Sequence, residues 1–410
     1  MSIIKNEPVY PFEDGDYCKP RHIVVKGGFE EIGYDLGTLA KNEYECKLGV
    51  YEHPIYAAAR REYLARNWSP MLQRQNGVFR AFGLPEDDET FDGTFLPFDW
   101  YDTKKSSGNL GMPTCSGLVL PCENTDTGAT YVARNFDMPA AILWSEAFGK
   151  QPPQGAHHFN ERAIVLETHP DDGFKSIIIG GNELLCPWVD GINEKGLYVT
   201  DFHDPAGVGS EGTSPSGLDI SGISTMHLFL LLLESCTTVE EAKVLMLTHR
   251  IMQTQMCTHF LIADASGNAT VFEIDKVSQS YVFTDRAANE PLFVTNHPVH
   301  TYPTPDTYPD IDMGKEHNTF TRQVMLREKY AELSPPFTRE DATALADAVR
   351  CSFVDDKKAE AAFKERTLSN VVADLSKPEI AVRWYLGDDG PIAGTNHMRD
   401  RMSGFYTFGF

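Results

Sequence analysis

Two short segments joined by a turn constrain this chain more than any other feature. The first runs from Pro113 to Pro121, where Cys115, Ser116 and Gly117 lead into Leu118, Val119 and Leu120. The second runs from Ala129 to Asp137, where Tyr131 and Ala133 alternate with Thr130 and Val132 before the polar cluster Arg134, Asn135 and Asp137. Both read as β-strands. Glu123 to Gly128 between them is turn chemistry with a terminal glycine. The pattern predicts a hairpin that lays Arg134, Asn135 and Asp137 beside the Cys115 end of the partner strand. One thiol, one guanidinium and one carboxylate are then brought together by a single turn.

The chain has 410 residues, of which 41% are hydrophobic, enough for a sizeable core. That length fits two domains or one large sandwich with an elaborated N-terminus. A formal charge of −23 sets it against polyanions, so neither nucleic acid nor an anionic membrane is an expected partner. The apolar run Leu228 to Leu233 is far shorter than the ~20 residues that cross a bilayer. The N-terminus lacks the apolar stretch of a secretion signal, and a cytoplasmic protein is expected. Eight cysteines are scattered without a C-x-x-C pair, which is neither a zinc framework nor a disulfide scaffold. Most are expected reduced and buried.

Taken in order, residues 1 to 25 read as irregular. Helices are expected over Glu30–Lys41 and Ala57–Phe82, the second ended by Gly83 and Pro85. Lys104 to Gly111 reads as a flexible approach to Cys115, and Ala140 to His158 as a surface excursion. Strands are expected over Ala163–Glu167, Ser176–Ile179 and Leu197–Thr200, and helices over Thr225–Ser235 and Val239–Arg250. Thr238 with Glu241 has the capping-box spacing. Strands return over His259–Ala263, Thr270–Ile274, Gln279–Phe283 and Leu292–Val294. A helix capped by Thr338 and a short one over Ala359–Glu365 precede closing strands at Ile380–Leu386 and Phe405–Phe408. Strands, then helices, then strands argue against a βαβ repeat and for antiparallel sheets with segregated helices, an α+β class.

Cys115 has two readings: a buried core cysteine or a nucleophile. A free thiol, with a pKa of ~8.5, is little ionised at neutral pH and needs a base. A histidine would serve, but the hairpin contains none. The α-amine of Cys115 itself would serve equally, at a pKa of ~7.7–8.0, if the preceding bond were cut. Arg134 suits a thiolate or a substrate group, and Asp137 suits an amine, while a plain ion pair at a strand end is the alternative. Gly207-x-Gly209-x-x-Gly212 is flanked by Pro205 and Pro215 and opens no βαβ unit, so no dinucleotide is expected. His157, His158, His203, His297 and His300 lack a metal-binding frame, and no metal or cofactor is expected.

The series Thr114-Cys115, a short strand, a hairpin and Ala133-Arg134-Asn135-Phe136-Asp137 resembles the N-terminal-nucleophile hydrolases. The nearest branch holds choloylglycine hydrolase, penicillin V acylase and isopenicillin N acyltransferase. Gly191-Ile192-Asn193-Glu194-Lys195-Gly196-Leu197 is similar to a structural turn of that branch, and Thr295-Asn296 follows Leu292–Val294 where the branch places an oxyanion-stabilising Asn. The resemblance implies a four-layer αββα sandwich of two antiparallel sheets flanked by helices. It implies cleavage between Thr114 and Cys115, giving an N-terminal segment of residues 1–114 and a nucleophile-bearing chain of residues 115–410 in one folded unit. It also implies Cys115, Arg134, Asp137 and Asn296 as catalytic residues, with Asn135, Arg322 and His203 as further candidates. A second oxyanion donor of the branch falls on Phe202 or His203, a departure. The expected activity is hydrolysis of a small linear amide, or acyl transfer to an amine, with no cofactor. The sequence leaves open a homo-oligomer, a metal-dependent hydrolase using the histidines, and a binding protein that stays uncut.

Overall fold

We describe a computed structural model of the chain over residues 2–98, 115–142, 154–204, 221–252, 258–275, 277–309, 319–353 and 365–410. Thr114, the 104–111 approach and the 207–212 glycines lie outside the described residues.

The hairpin forms as the sequence predicts. Strand Ser116–Leu120 pairs antiparallel with Tyr131–Pro139, and the register sets Ser116 opposite Asn135 and Gly117 opposite Arg134. It is the heart of a seven-stranded antiparallel sheet. Leu292–Val294 flanks Ser116–Leu120, and Glu365–Asp374, Glu379–Pro391 and Met398–Met402 follow beyond Tyr131–Pro139. Tyr406–Gly409 also pairs with Glu379–Pro391.

A nine-stranded sheet packs face to face with the first. Its order is Ile3–Pro8, Arg21–Gly27, Ile164–Pro170, Ser176–Gly180, Val189–Asn193, Tyr198–His203, Thr258–Ala263, Ala269–Ile274 and Tyr281–Asp285. Helix Leu228–Ser235 covers its centre, with Phe29–Glu43 over Arg21–Gly27. Helix Arg339–Asp347 covers the hairpin on the outside of the other sheet, and Thr319–Ala331 lies on Leu292–Val294. The layers are helix, sheet, sheet, helix.

Several expectations need correction. Residues 1–25 are not irregular: their β-branched runs, Ile3-Ile4 and Ile23-Val24-Val25, form strands, and only the stretch between is loop. The nine-stranded sheet is not wholly antiparallel, because Arg21–Gly27 runs parallel to Ile164–Pro170. Parallel neighbours need a long crossover, here the whole chain from 28 to 163, and a local reading does not see that. Ala57–Phe82 is two helices, Pro54–Asn67 and Ser69–Phe82, because Pro70 cannot continue the first and Trp68 leaves helical geometry. The expected strand Gln279–Phe283 is shifted to Tyr281–Asp285, Gln279 having a positive φ of 57°. Of the helix expected over Ala359–Glu365, residues 359–364 lie outside the described residues and Glu365 opens a strand.

Segment 1–98 is tied into this body. Helices Phe29–Glu43 and Ser69–Phe82 touch backbone to backbone: a Cβ on Gly33 would meet the Arg74 carbonyl at 2.1 Å, and one on Gly77 the Glu30 carbonyl at 2.0 Å. From that crossing Arg74 reaches Glu234 on helix Leu228–Ser235 in a two-pronged, fully buried ion pair, one arm at 3.0 Å. Removing one partner of such a pair leaves a buried charge alone, at a cost of about 3–5 kcal/mol. Arg74→Ala is therefore expected to lower the urea midpoint strongly, and an unchanged midpoint would show the pair to be dispensable.

Candidate active site

Cys115 sits just ahead of strand Ser116–Leu120 and is 2% exposed. Its sulfur accepts from Arg134 Nη2 at 3.3 Å. Its carbonyl accepts from Arg322 Nη1 at 2.6 Å. Arg322 Nη2 donates to Asn296 Oδ1 at 2.8 Å, and Asn296 Nδ2 donates to the His203 carbonyl at 2.7 Å. Cys115, Arg134, Arg322, Asn296 and the backbone of His203 thus form one connected cluster, drawn from both sheets and from helix Thr319–Ala331.

Two opposed strands aim Arg134. It crosses from the seven-stranded sheet to the nine-stranded one, where Nη1 meets Asp190 Oδ2 at 3.5 Å and Nη2 donates to the Asp201 carbonyl at 3.1 Å. Tyr198 OH donates to Asp190 Oδ1 at 2.5 Å, and Phe136 stacks beneath the guanidinium at 4.7 Å. The sheets approach closely here because Gly117 has no side chain: a Cβ there would lie 2.7 Å from the Phe202 ring.

Asp137 is buried, and its Oδ1 accepts from Thr367 Oγ1 at 2.5 Å. Its Oδ2 has no hydrogen-bond partner among the described residues. Burial raises its carboxyl to about 6, against the pull of Thr367, Arg322 and Arg134. Asn135 points to the face of the strand opposite Arg134. Its Nδ2 donates to Ser116 Oγ at 3.1 Å and to the Ala346 carbonyl at 2.7 Å, and its Oδ1 accepts from Asn370 at 2.7 Å. It fastens the hairpin to helix Arg339–Asp347 and does not reach the sulfur.

Burial pushes the Cys115 thiol up to about 11; Arg134 opposes this and Asp137 adds to it. At neutral pH the sulfur is a thiol and needs a base. The described groups on it are Arg134 and the Asp137 backbone, and neither is an imidazole.

A family model described as acyl-coenzyme A:6-aminopenicillanic acid acyl-transferase matches residues 123–385, more than half of the chain. The chain belongs to this acyl-transferase family. Membership puts its four layers among the N-terminal-nucleophile hydrolases. The matched span includes Arg134, Asp137, His203, Asn296 and Arg322 and begins beyond Cys115. In structure the chain is similar to a mutant conjugated bile acid hydrolase from Clostridium perfringens, at 15% identity and TM-score 0.46, covering 72% of this chain and 97% of that one. It is also similar to penicillin V acylase from Agrobacterium tumefaciens, at 15% identity and TM-score 0.45, covering 66% and 83%. No curated protein matches it. Among the described residues no helix is long and apolar enough to cross a membrane.

Sequence reasoning on this acyl-transferase family member missed Asp190, Tyr198, Asp201 and Thr367. Acids inside otherwise apolar strands were the available signal. The histidines have other work. His157 and His158 face Glu161, His300 bonds Glu273 and Asp275, and His297 bonds Thr295 and Thr319. Asp204, His259 and Glu273 each bring one ligand-type atom within 4.8 Å of the others. Both Glu273 oxygens, however, already accept from the Val299 and His300 amides, at 2.7 and 2.9 Å.

Burial pushes the Asp201 carboxyl up to about 7; Arg134 pulls it down and Asp190 raises it again. Between the unfolded value of ~3.9 and about 7 the folded chain holds this proton and the unfolded chain does not. This group's contribution to stability therefore falls as pH rises through that window. Asp201→Asn is expected to leave the melting temperature nearly unchanged at about pH 4 and to raise it at about pH 8. Calorimetry at both pH values checks this, and equal shifts would contradict it.

Proposed function

We propose that this family member is an autoprocessed cysteine amidase acting on small linear amides. The observation that carries the reading is the buried Cys115 sulfur, held by Arg134 with no imidazole on it among the described residues. Such a thiol needs a base, and its own α-amine is the base that cleavage at Thr114–Cys115 would supply. In the precursor the sulfur attacks the Thr114 carbonyl carbon and the peptide nitrogen leaves as an amine. Water then hydrolyses the thioester, leaving a carboxylate on Thr114 and a free amine on Cys115. The Oδ2 of Asp137, unpartnered among the described residues, suits a cationic neighbour and supports a role in holding that amine.

In turnover the amine takes the thiol proton and the sulfur attacks the substrate carbonyl. Asn296 is the oxyanion donor: its amide carries two hydrogens, and the bond to His203 uses one. The tetrahedral intermediate expels the substrate amine, which takes the proton back from the α-ammonium. Water, deprotonated by the α-amine, releases the acid from the thioester. Arg322 orients Asn296 and the Cys115 carbonyl together.

The family description supports a second reading, in which an amine rather than water takes the acyl group. The shared thioester makes the two readings alike up to that step. A panel of acyl p-nitroanilides, from short to long chains, tests the proposal. Nitroaniline release with acid formed in water supports the amidase. Release only when an acceptor amine is added supports the transferase. We place the protein in the cytoplasm, a reading supported by the free thiols of Cys18, Cys115, Cys122, Cys186 and Cys236.

A further inference from the structure

Beside the candidate site lies a buried group that the proposed reaction does not use. His259, on strand Thr258–Ala263, is 1% exposed and stacks on Phe202, its register partner, with ring centres 5.6 Å apart. Its Nε2 is 2.9 Å from the Thr295 carbonyl. A carbonyl only accepts, so Nε2 carries a hydrogen. Its Nδ1 faces Asp204 Oδ2 at 3.9 Å, an ion-pair distance.

The positions of these two partners matter. Thr295 immediately precedes Asn296, and Asp204 immediately follows His203. Asn296 and His203 meet each other through the 2.7 Å bond from the Asn296 amide to the His203 carbonyl. One ring therefore grips both backbone segments that converge at the oxyanion donor. These segments leave different elements, Leu292–Val294 of one sheet and Tyr198–His203 of the other, so no strand pairing holds them in register.

We infer that His259 is a positioning residue for the oxyanion site: bonded to Thr295 on one edge and facing Asp204 on the other, it fixes the angle at which the Asn296 amide meets the reacting carbonyl. The inference rests on the reading of Asn296 as oxyanion donor. The charges around the ring agree with it. Asp204 and Glu273 raise its pKa against burial, Asp201 is a further nearby acid, and burial drives the neighbouring His297 down to about 3, leaving it neutral.

The test is a double-mutant cycle on the cleaved enzyme, with an acyl p-nitroanilide that the wild type turns over. His259→Phe keeps the ring volume and removes both contacts. It is expected to lower kcat on the order of tenfold to a hundredfold with KM nearly unchanged, since a small misplacement acts on the transition state. His259→Gln keeps a donor toward Thr295 and is expected to recover a large part of that loss. In an Asn296→Ala background His259→Phe is expected to change kcat no further. Should His259→Phe not fold, Asp204→Asn, which keeps shape and loses the charge, carries the same expectation. An Asn296→Ala enzyme with normal kcat would sink the oxyanion reading itself. A slow Asn296→Ala enzyme beside a normal His259→Phe one, or losses that multiply in the double mutant, would overturn this inference and leave the site reading standing. Stoichiometric metal on the wild type that is lost in His259→Phe would also overturn it, by making Nδ1 a ligand.

Discussion

Cys115→Ala is expected to give a single 45.8 kDa chain with no amidase activity. This is the largest effect expected from any one substitution, because a single atom serves two reactions. In the proposed reading the Cys115 sulfur is the nucleophile that opens the Thr114–Cys115 bond and the nucleophile of turnover. Removing it is expected to abolish both while the fold survives, because the sulfur's partners are the Arg134 guanidinium and the Asp137 backbone, and Arg134 keeps its bonds to Asp190 and the Asp201 carbonyl. A denaturing gel and a nitroanilide assay on the same sample read the two outcomes. A Cys115→Ala chain that is still cut would assign the cutting to another agent. A variant that stays active would remove Cys115 from the chemistry.

The second large effect belongs to Asn296. Its amide is bonded on one side to Arg322, which also holds the Cys115 carbonyl, so its direction is set relative to the nucleophile. A donor of this kind acts on the charge that develops in the transition state and not on the ground-state substrate. Asn296→Ala is expected to lower kcat by a factor on the order of 10²–10³ with KM little changed. A merely structural turn residue would instead cost ~1 kcal/mol of stability and leave turnover near normal. A melting curve and kcat on an active-site-titrated sample separate the two.

The parts of this site that the sequence makes legible are those joined by short-range geometry. A two-stranded turn fixes which residue faces which, so Cys115, Arg134 and Asp137 can be grouped from spacing alone, and the register sets Gly117 opposite Arg134 as that grouping needs. Alternation also separates the two faces of a strand: with Arg134 assigned inward it puts Asn135 on the other face and Asp137 with it, and it is the Asp137 backbone that reaches the Cys115 sulfur. Arg322 is harder to place. It lies more than two hundred residues from Cys115, on helix Thr319–Ala331, whose polar sequence carries little amphipathic signal. Asp190 and Asp201 are harder still. A buried acid and a surface acid look alike in sequence, and only the meeting of the two sheets shows that both face Arg134. The same limit hides the parallel strand Arg21–Gly27, whose partner is set by the path of the whole chain from 28 to 163.

The central claim is that the nucleophile carries its own base, which requires a free amine on Cys115. The most direct measurement is the intact mass, under denaturing conditions, of wild-type protein that turns over an acyl p-nitroanilide. The account predicts two species, residues 1–114 and residues 115–410, the second starting at Cys115 and gaining the acyl mass when quenched during turnover. A fully active preparation consisting of one uncut chain would contradict it.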